Sequence, residues 1–340
     1  MTMKKWGIQF FWSAICALSI NARAQELPVL AQSPLPYKMM ESLGAFASQF
    51  SFSGGVRYWY SQSNNHFKFS NGFPGYGNPT STLDWNGNTA HSGEGYVRID
   101  HHTTRLFVKA LGGGGGINGD GEMTDRDFLA GQRSFSVTRS AVNGADLSYA
   151  MLDLGINLRP VPQHMPDLTI SPFIGYHYWS DNPISKGLNC ETRDVAPREC
   201  FQTVLLDQSV KAVGYGIRWD VLRVGLGAAI PVALVKGLSV SAEVAWVPYA
   251  HFNVDDSHYL RVDLGPTPNS YHRGSARGVE AEVMVSYALT DRFKLGVGGR
   301  YWGLFSYDGE STFRQSQRSY SGTRFEQQRY GLLVEAKYRF

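Results

Sequence analysis

The sequence predicts an all-β fold, a transmembrane antiparallel β-barrel of about ten strands with long extracellular loops. Three observations carry this. Segments of alternating apolar and polar residues recur along the chain. Short and long polar connections alternate between them in strict order, and beyond residue 24 no apolar run reaches the length of about 18 residues that a spanning helix needs. A closed barrel is the other way to satisfy every backbone group inside a bilayer.

The first element, 1–24, reads as a secretory signal. Lys4 and Lys5 precede an apolar run over 6–20, and Ala22-Arg23-Ala24 is an A-x-A cleavage pattern. Cys16 lacks the preceding small residue of a lipoprotein signal and leaves with this segment. The formal charge of +3 resides there as well: without Lys4, Lys5 and Arg23, 29 basic residues face 29 acidic ones. A neutral mature chain gives no reason to expect nucleic-acid binding. Residues 25–340 form the barrel, opened by an irregular leader over 25–49.

Strand patterning follows. Apolar and polar residues alternate over 238–246, 279–287 and 330–340, and Leu106, Val108 and Ala110 set the phase of the third strand. A period of two sends one set to lipid and the other to the lumen. Arg105, Lys109, Lys294, Arg300, Glu335 and Lys337 are expected to point inward, where opposite charges pair across a narrow ring and leave little channel. Tight turns are predicted at 101–104, 160–167, 235–237 and 290–292, and outer loops at 62–82, 113–146, 180–208, 251–277 and 307–323. Cys190 and Cys200 bracket a polar stretch, and an oxidising compartment favours a loop-closing disulfide over two free thiols.

Two polar patches fall in these outer connections, Asp125-Arg126-Asp127 beyond the third strand and Asp256-Ser257-His258-Tyr259 beyond the seventh. In a ring of about ten strands those positions lie nearly opposite. A histidine oriented by a carboxylate can act as general base on water, and paired carboxylates opposite can hold that water or share protons. Taken alone, each patch also reads as solvated loop residues. No nearby Cys or spaced second His supports a metal site, and Gly112 to Gly116 lacks the Gly-Lys-Ser/Thr of a phosphate loop. Asn118, Asp120 and Glu122 fail the calcium-loop spacing. No cofactor or metal is expected.

The stretch Gly121-Glu122-Met123-Thr124-Asp125-Arg126-Asp127-Phe128 resembles the first catalytic motif of the omptins, outer-membrane proteases with a ten-stranded barrel. Val254-Asp255-Asp256-Ser257-His258-Tyr259 is similar to their second motif, Asp-x-His-Tyr. Leu83-Asp84-Trp85 and the closing Tyr338-Arg339-Phe340, with the terminal aromatic residue of outer-membrane chains, fit as well. The resemblance spans 51–340 and implies an endopeptidase in the outer membrane of a Gram-negative bacterium, its site facing outside. It implies His258 as general base, Asp256 as its orienting partner, and Asp125 with Asp127 as holders of the attacking water, without an acyl-enzyme. Its implied partners are a peptide or protein substrate, lipopolysaccharide and outer-membrane lipid. A diffusion porin and an inert adhesin barrel remain the alternatives.

Two departures concern specificity. Omptins carry an acid two residues before the dyad Asp, where Val254 stands, and another on the first strand, near Tyr58. Losing both removes the electrostatic reason for a basic cleavage site. Alternation carried forward from Val244 and Trp246 also puts Asp256 and His258 in the lipid-facing phase, unless a bulge near Pro248 corrects it.

Overall fold

The alternating segments pair as strands throughout the computed structural model, which describes residues 48–72, 77–129, 133–159, 167–192 and 206–340. These belong to the unit Ser48–Phe340. The predicted signal and residues 25–47 of the leader lie outside them. The strands are β1 Phe50–Phe69, β2 Ser81–His101, β3 Leu106–Ile117, β4 Glu122–Leu129, β5 Arg133–Ile156, β6 Thr169–Thr192, β7 Leu206–Pro231, β8 Leu238–His258, β9 Ser270–Ala288, β10 Phe293–Phe313, β11 Arg318–Ser321 and β12 Arg324–Arg339. Cys190 pairs through its backbone with Thr138. Cys200 lies outside the described residues, and the predicted bridge with it.

All neighbours are antiparallel, and β1 pairs with both β2 and β12, which closes the sheet on itself. β3 and β4 share one position between β2 and β5. β11 pairs with β10 outside the circuit, so the twelve strands make a ring of ten. Closure removes the free edges that would otherwise expose unpaired backbone groups.

A belt of exposed apolar side chains surrounds the ring: Val56 and Tyr58 on β1, Leu222 and Val224 on β7, Val244 and Trp246 on β8, Leu332 and Val334 on β12. The complete ring strands run from 16 residues in β12 to 26 in β7, whereas about 9–11 suffice to cross the hydrocarbon. The excess extends the wall past the belt at the end away from the short turns. Much of what the sequence presents as long loops is therefore strand, and the true connections shrink to segments such as 70–80, 259–269 and 314–317. The reason is physical. Where water replaces lipid outside the wall, outward positions become polar, as Asn64, His66 and Lys68 do on β1, and the hydropathy contrast that signals a membrane strand disappears while the ladder continues.

Charged pairs and stacked rings block the lumen above a cavity of about 910 Å³ that Arg57, Lys109, Glu243, Glu282 and Glu335 help to line. Arg57 bonds Glu335 at 2.7 Å and reaches Glu282 at 3.0 Å; Arg300 bonds Glu282 at 2.7 Å and also Glu94. Lys109 bonds Glu243 at 2.8 Å, and Arg223 reaches Glu280 at 3.2 Å. Buried charges persist only when paired in this way. Lys109, Arg300 and Glu335 thus take the inward places expected of them, while Arg105 sits in the exposed turn before β3. Toward the loop end follow Trp59 and Tyr149, each edge to face with Trp302, and Trp179, tilted against it. Above them Arg329 bonds Asp181 at 2.7 Å with both side chains fully buried, and Trp219, Phe252 and Phe325 stack over that layer.

Candidate active site

The two polar patches occupy the third and seventh positions of the ring and, but for Tyr259 in the turn after β8, are strand residues, not loop residues. In β4, Asp125 stands opposite Leu83 of β2 and Thr138 of β5, and Asp127 opposite Ser81 and Ser136. Spacing of two puts both carboxylates on one face of the strand. The intervening Arg126 faces the other way and bonds Asp84 at 2.6 Å, beside a His66–Asp84 contact of 2.5 Å on the outer wall.

In β8 the phase problem is resolved by a bulge. β8 residues 247–250 oppose one residue fewer on each neighbour, where Leu222 and Val224 pair with Tyr249 and Trp246 and where Val247 and Ala250 pair with Gly278 and Ala276. Pro248, which has no ladder donor, lies in that extra step. Trp246 and Tyr249 both face out, and Ala250, Phe252, Val254 and Asp256 then face in. One inserted residue decides whether the dyad meets lipid-side water or the lumen.

At the top of β8, Asp256 Oδ2 lies 3.2 Å from His258 Nε2 and accepts a hydrogen bond from Ser270 Oγ at 3.0 Å. A second histidine, His272, approaches the same oxygen at 3.5 Å and is held from behind by Ser311 Oγ at 2.8 Å. Asn269 fastens the strand end: its Oδ1 accepts from the His258 backbone N–H at 2.5 Å, and its own N–H donates to the Asp256 carbonyl at 2.8 Å. With Nε2 turned to Asp256, Nδ1 is the ring nitrogen left for another partner.

The electrostatics follow from this packing. Burial disfavours a charged His258, but the Asp256 carboxylate outweighs it through charge and hydrogen bond, with Asp125 adding to the effect, and the imidazole is pushed up to about 9. Burial would raise the Asp256 carboxyl; the His258 and His272 rings overcome it and hold the group well below the usual carboxylate range. Asp125 of the first patch thus acts on His258 of the second through its charge. Tyr215 lies on β7 beside the second patch. It faces Asp256 across β7 and β8, its buried hydroxyl has no hydrogen-bond partner, and burial with the Asp256, Asp125 and Asp84 carboxylates raises it well above its ordinary value.

Sequence reasoning had not singled out Tyr215, Ser270 or His272. Tyr215 sits in the inward series Val213, Tyr215, Ile217, Trp219, Val221, whose apolar character reads as a lipid-facing stripe. His272 sits on the neighbouring strand, so its approach to Asp256 depends on register and not on spacing. Val254 is buried in the lumen one inward position below Asp256. Tyr58 is a correction. It lies 46% exposed on the outer wall, within the apolar belt, and contacts His91, because inward positions of β1 are Arg57, Trp59 and the odd-numbered residues that follow. The inward side chain at the loop end of β1 is Phe69.

The omptin family profile matches residues 75–333. Among solved structures the chain is similar to the outer-membrane protease OmpT of Escherichia coli, at TM-score 0.68 and 14% identity over 85% of this chain and 97% of that one. The translocator domain of the autotransporter NalP from Neisseria meningitidis aligns over 89% of this chain and 95% of its own at 9% identity, with a TM-score of 0.29. The search of curated proteins gave no match. The profile covers most of the chain, and the E. coli protease shares the fold of the ring described above: the chain belongs to the omptin family of Gram-negative outer-membrane proteases.

Proposed function

We propose that the protein is an endopeptidase that hydrolyses peptide bonds at the outward-facing mouth of the barrel, with Asp256 and His258 as its dyad and Asp125 and Asp127 as the opposing carboxylates. The observation that carries this reading is the 3.2 Å contact between Asp256 and a partly exposed His258, on a buried base of Ser270, His272 and Asn269. A water opposite Asp125 gives its proton to His258 Nδ1, and its oxygen attacks the scissile carbonyl carbon. The tetrahedral adduct then collapses. His258 returns the proton to the leaving amine, and the products are a free carboxylate and a free amine. Asp256 stabilises the transient imidazolium, so no covalent enzyme intermediate is required.

A lumen blocked by paired charges and stacked rings supports a surface reaction over passage through the ring. Outward cations just past the apolar belt, such as Arg277 over the Tyr307 ring, suit the phosphates of lipopolysaccharide, the lipid partner proposed for this face. The test is incubation of the refolded protein with a defined peptide mixture in lipopolysaccharide-containing micelles, read by mass spectrometry. Internal cleavage that disappears in Asp256→Ala is the expected result; peptides left intact by the wild type overturn the reading.

A further inference from the structure

Beside the dyad, at the loop end, opens a cleft of about 270 Å³ lined by Phe69, Leu264, Asn269, Phe313 and Tyr320 with small polar residues at its rim. None of its lining residues is charged. The three rings make an aromatic trio: Phe69 lies 5.2 Å from Phe313 and 5.6 Å from Tyr320, and the latter two are 5.8 Å apart, each pair edge to face. Such a surface gains from an apolar or aromatic guest and gives nothing to a cation except desolvation.

The cleft is continuous with the proposed site through two of its walls. Asn269 is the residue that accepts from the His258 backbone and donates to the Asp256 carbonyl. Phe69 follows Phe67 on the inward face of β1; the Phe67 ring lies 4.2 Å from the His272 ring, and His272 lies 3.5 Å from Asp256. On the lumen side the neighbour of Asp256 is the buried Val254, not an acid. An extended peptide held across the mouth therefore meets an uncharged aromatic recess next to the bond presented to His258.

We infer that this cleft is the specificity site for the proposed proteolysis, and that it takes a large apolar or aromatic side chain of the substrate flanking the scissile bond. The inference rests on the protease reading and narrows its substrate class to peptides with Phe, Tyr, Leu or Met beside the cut.

The test maps cleavage sites of the wild-type protein in a proteome-derived peptide library, subtracting those that persist with His258→Ala. Hydrophobic residues beside the cut should be enriched at least about tenfold over Lys and Arg, the scale on which apolar pockets discriminate. Tyr320→Ala, in a strand outside the ring, should lower kcat/KM for the aromatic peptides by about tenfold and more than for peptides with small residues. His258-dependent cleavage concentrated at Lys or Arg, or indifferent to the flanking residue, overturns the inference and leaves the protease reading intact. The absence of any His258-dependent cleavage overturns both.

Discussion

Asp256 and His258 sit two residues apart on one inward face of β8, with Oδ2 and Nε2 3.2 Å apart, and this pair sets the pH behaviour of the site. As a base His258 must be neutral, and Asp256 holds its proton on up to about pH 9. kcat/KM is therefore expected to rise with pH and to level off only near that value. In Asp256→Asn the counter-charge is gone and burial prevails, so the acid limb should move to below the ordinary histidine value of 6.5 while the maximal rate falls. A pH–rate profile of the two proteins checks this; coincident limbs contradict it.

The same pair contributes to folding in a defined window. His258 is raised in the folded state, so its contribution is complete below 6.5 and is lost as pH climbs through about 9. Asp256 is lowered, so its contribution is present above its ordinary 3.8 and is lost as pH falls through its depressed folded value. The difference in denaturant midpoint between wild type and His258→Ala should be largest between those two ordinary values and shrink toward pH 9 and above.

Beneath the site, Arg329 donates to Ser61, Ser63 and Asp181, and no part of either charged side chain reaches solvent. Asp181→Ala leaves a buried guanidinium without its anion and should cost about 3–5 kcal/mol. Asp181→Asn keeps an oxygen for Gln327 and should cost less. Urea unfolding in detergent micelles distinguishes them.

The bulge at Pro248 is the hinge between sequence and site. Deleting Pro248 restores strict alternation through β8 and is expected to turn Asp256 to the outer face, abolishing His258-dependent cleavage in protein that still shows heat-modifiable electrophoretic mobility. Retained cleavage would mean that the phase is set elsewhere.

The layers of paired charge and stacked rings predict that the reconstituted protein gives no stepwise conductance in planar bilayers. Discrete open-barrel steps would restore the porin alternative.

Much of this was legible in the residues. Alternation and the order of short and long connections predict the ring, because a wall with lipid on one side imposes that pattern, and the positions of Asp125 and Asp256 on the third and seventh strands place them across the mouth. What was not legible depends on pairing between distant strands. The approach of His272 to Asp256 follows from the β8–β9 register, and Phe69 takes the inward place once sought at Tyr58 because the phase of β1 could not be read without its neighbours. Above the belt the polar outer wall looks like loop, since nothing in hydropathy distinguishes a solvated strand from a solvated connection.

The central claim is that His258 moves the proton in peptide hydrolysis, and kcat/KM of His258→Ala against wild type on one cleaved peptide tests it most directly, with both proteins refolded and heat-modifiable. The account predicts a loss of about a hundredfold to ten-thousandfold, the contribution expected of a general base; a variant that cleaves at close to the wild-type rate would contradict it.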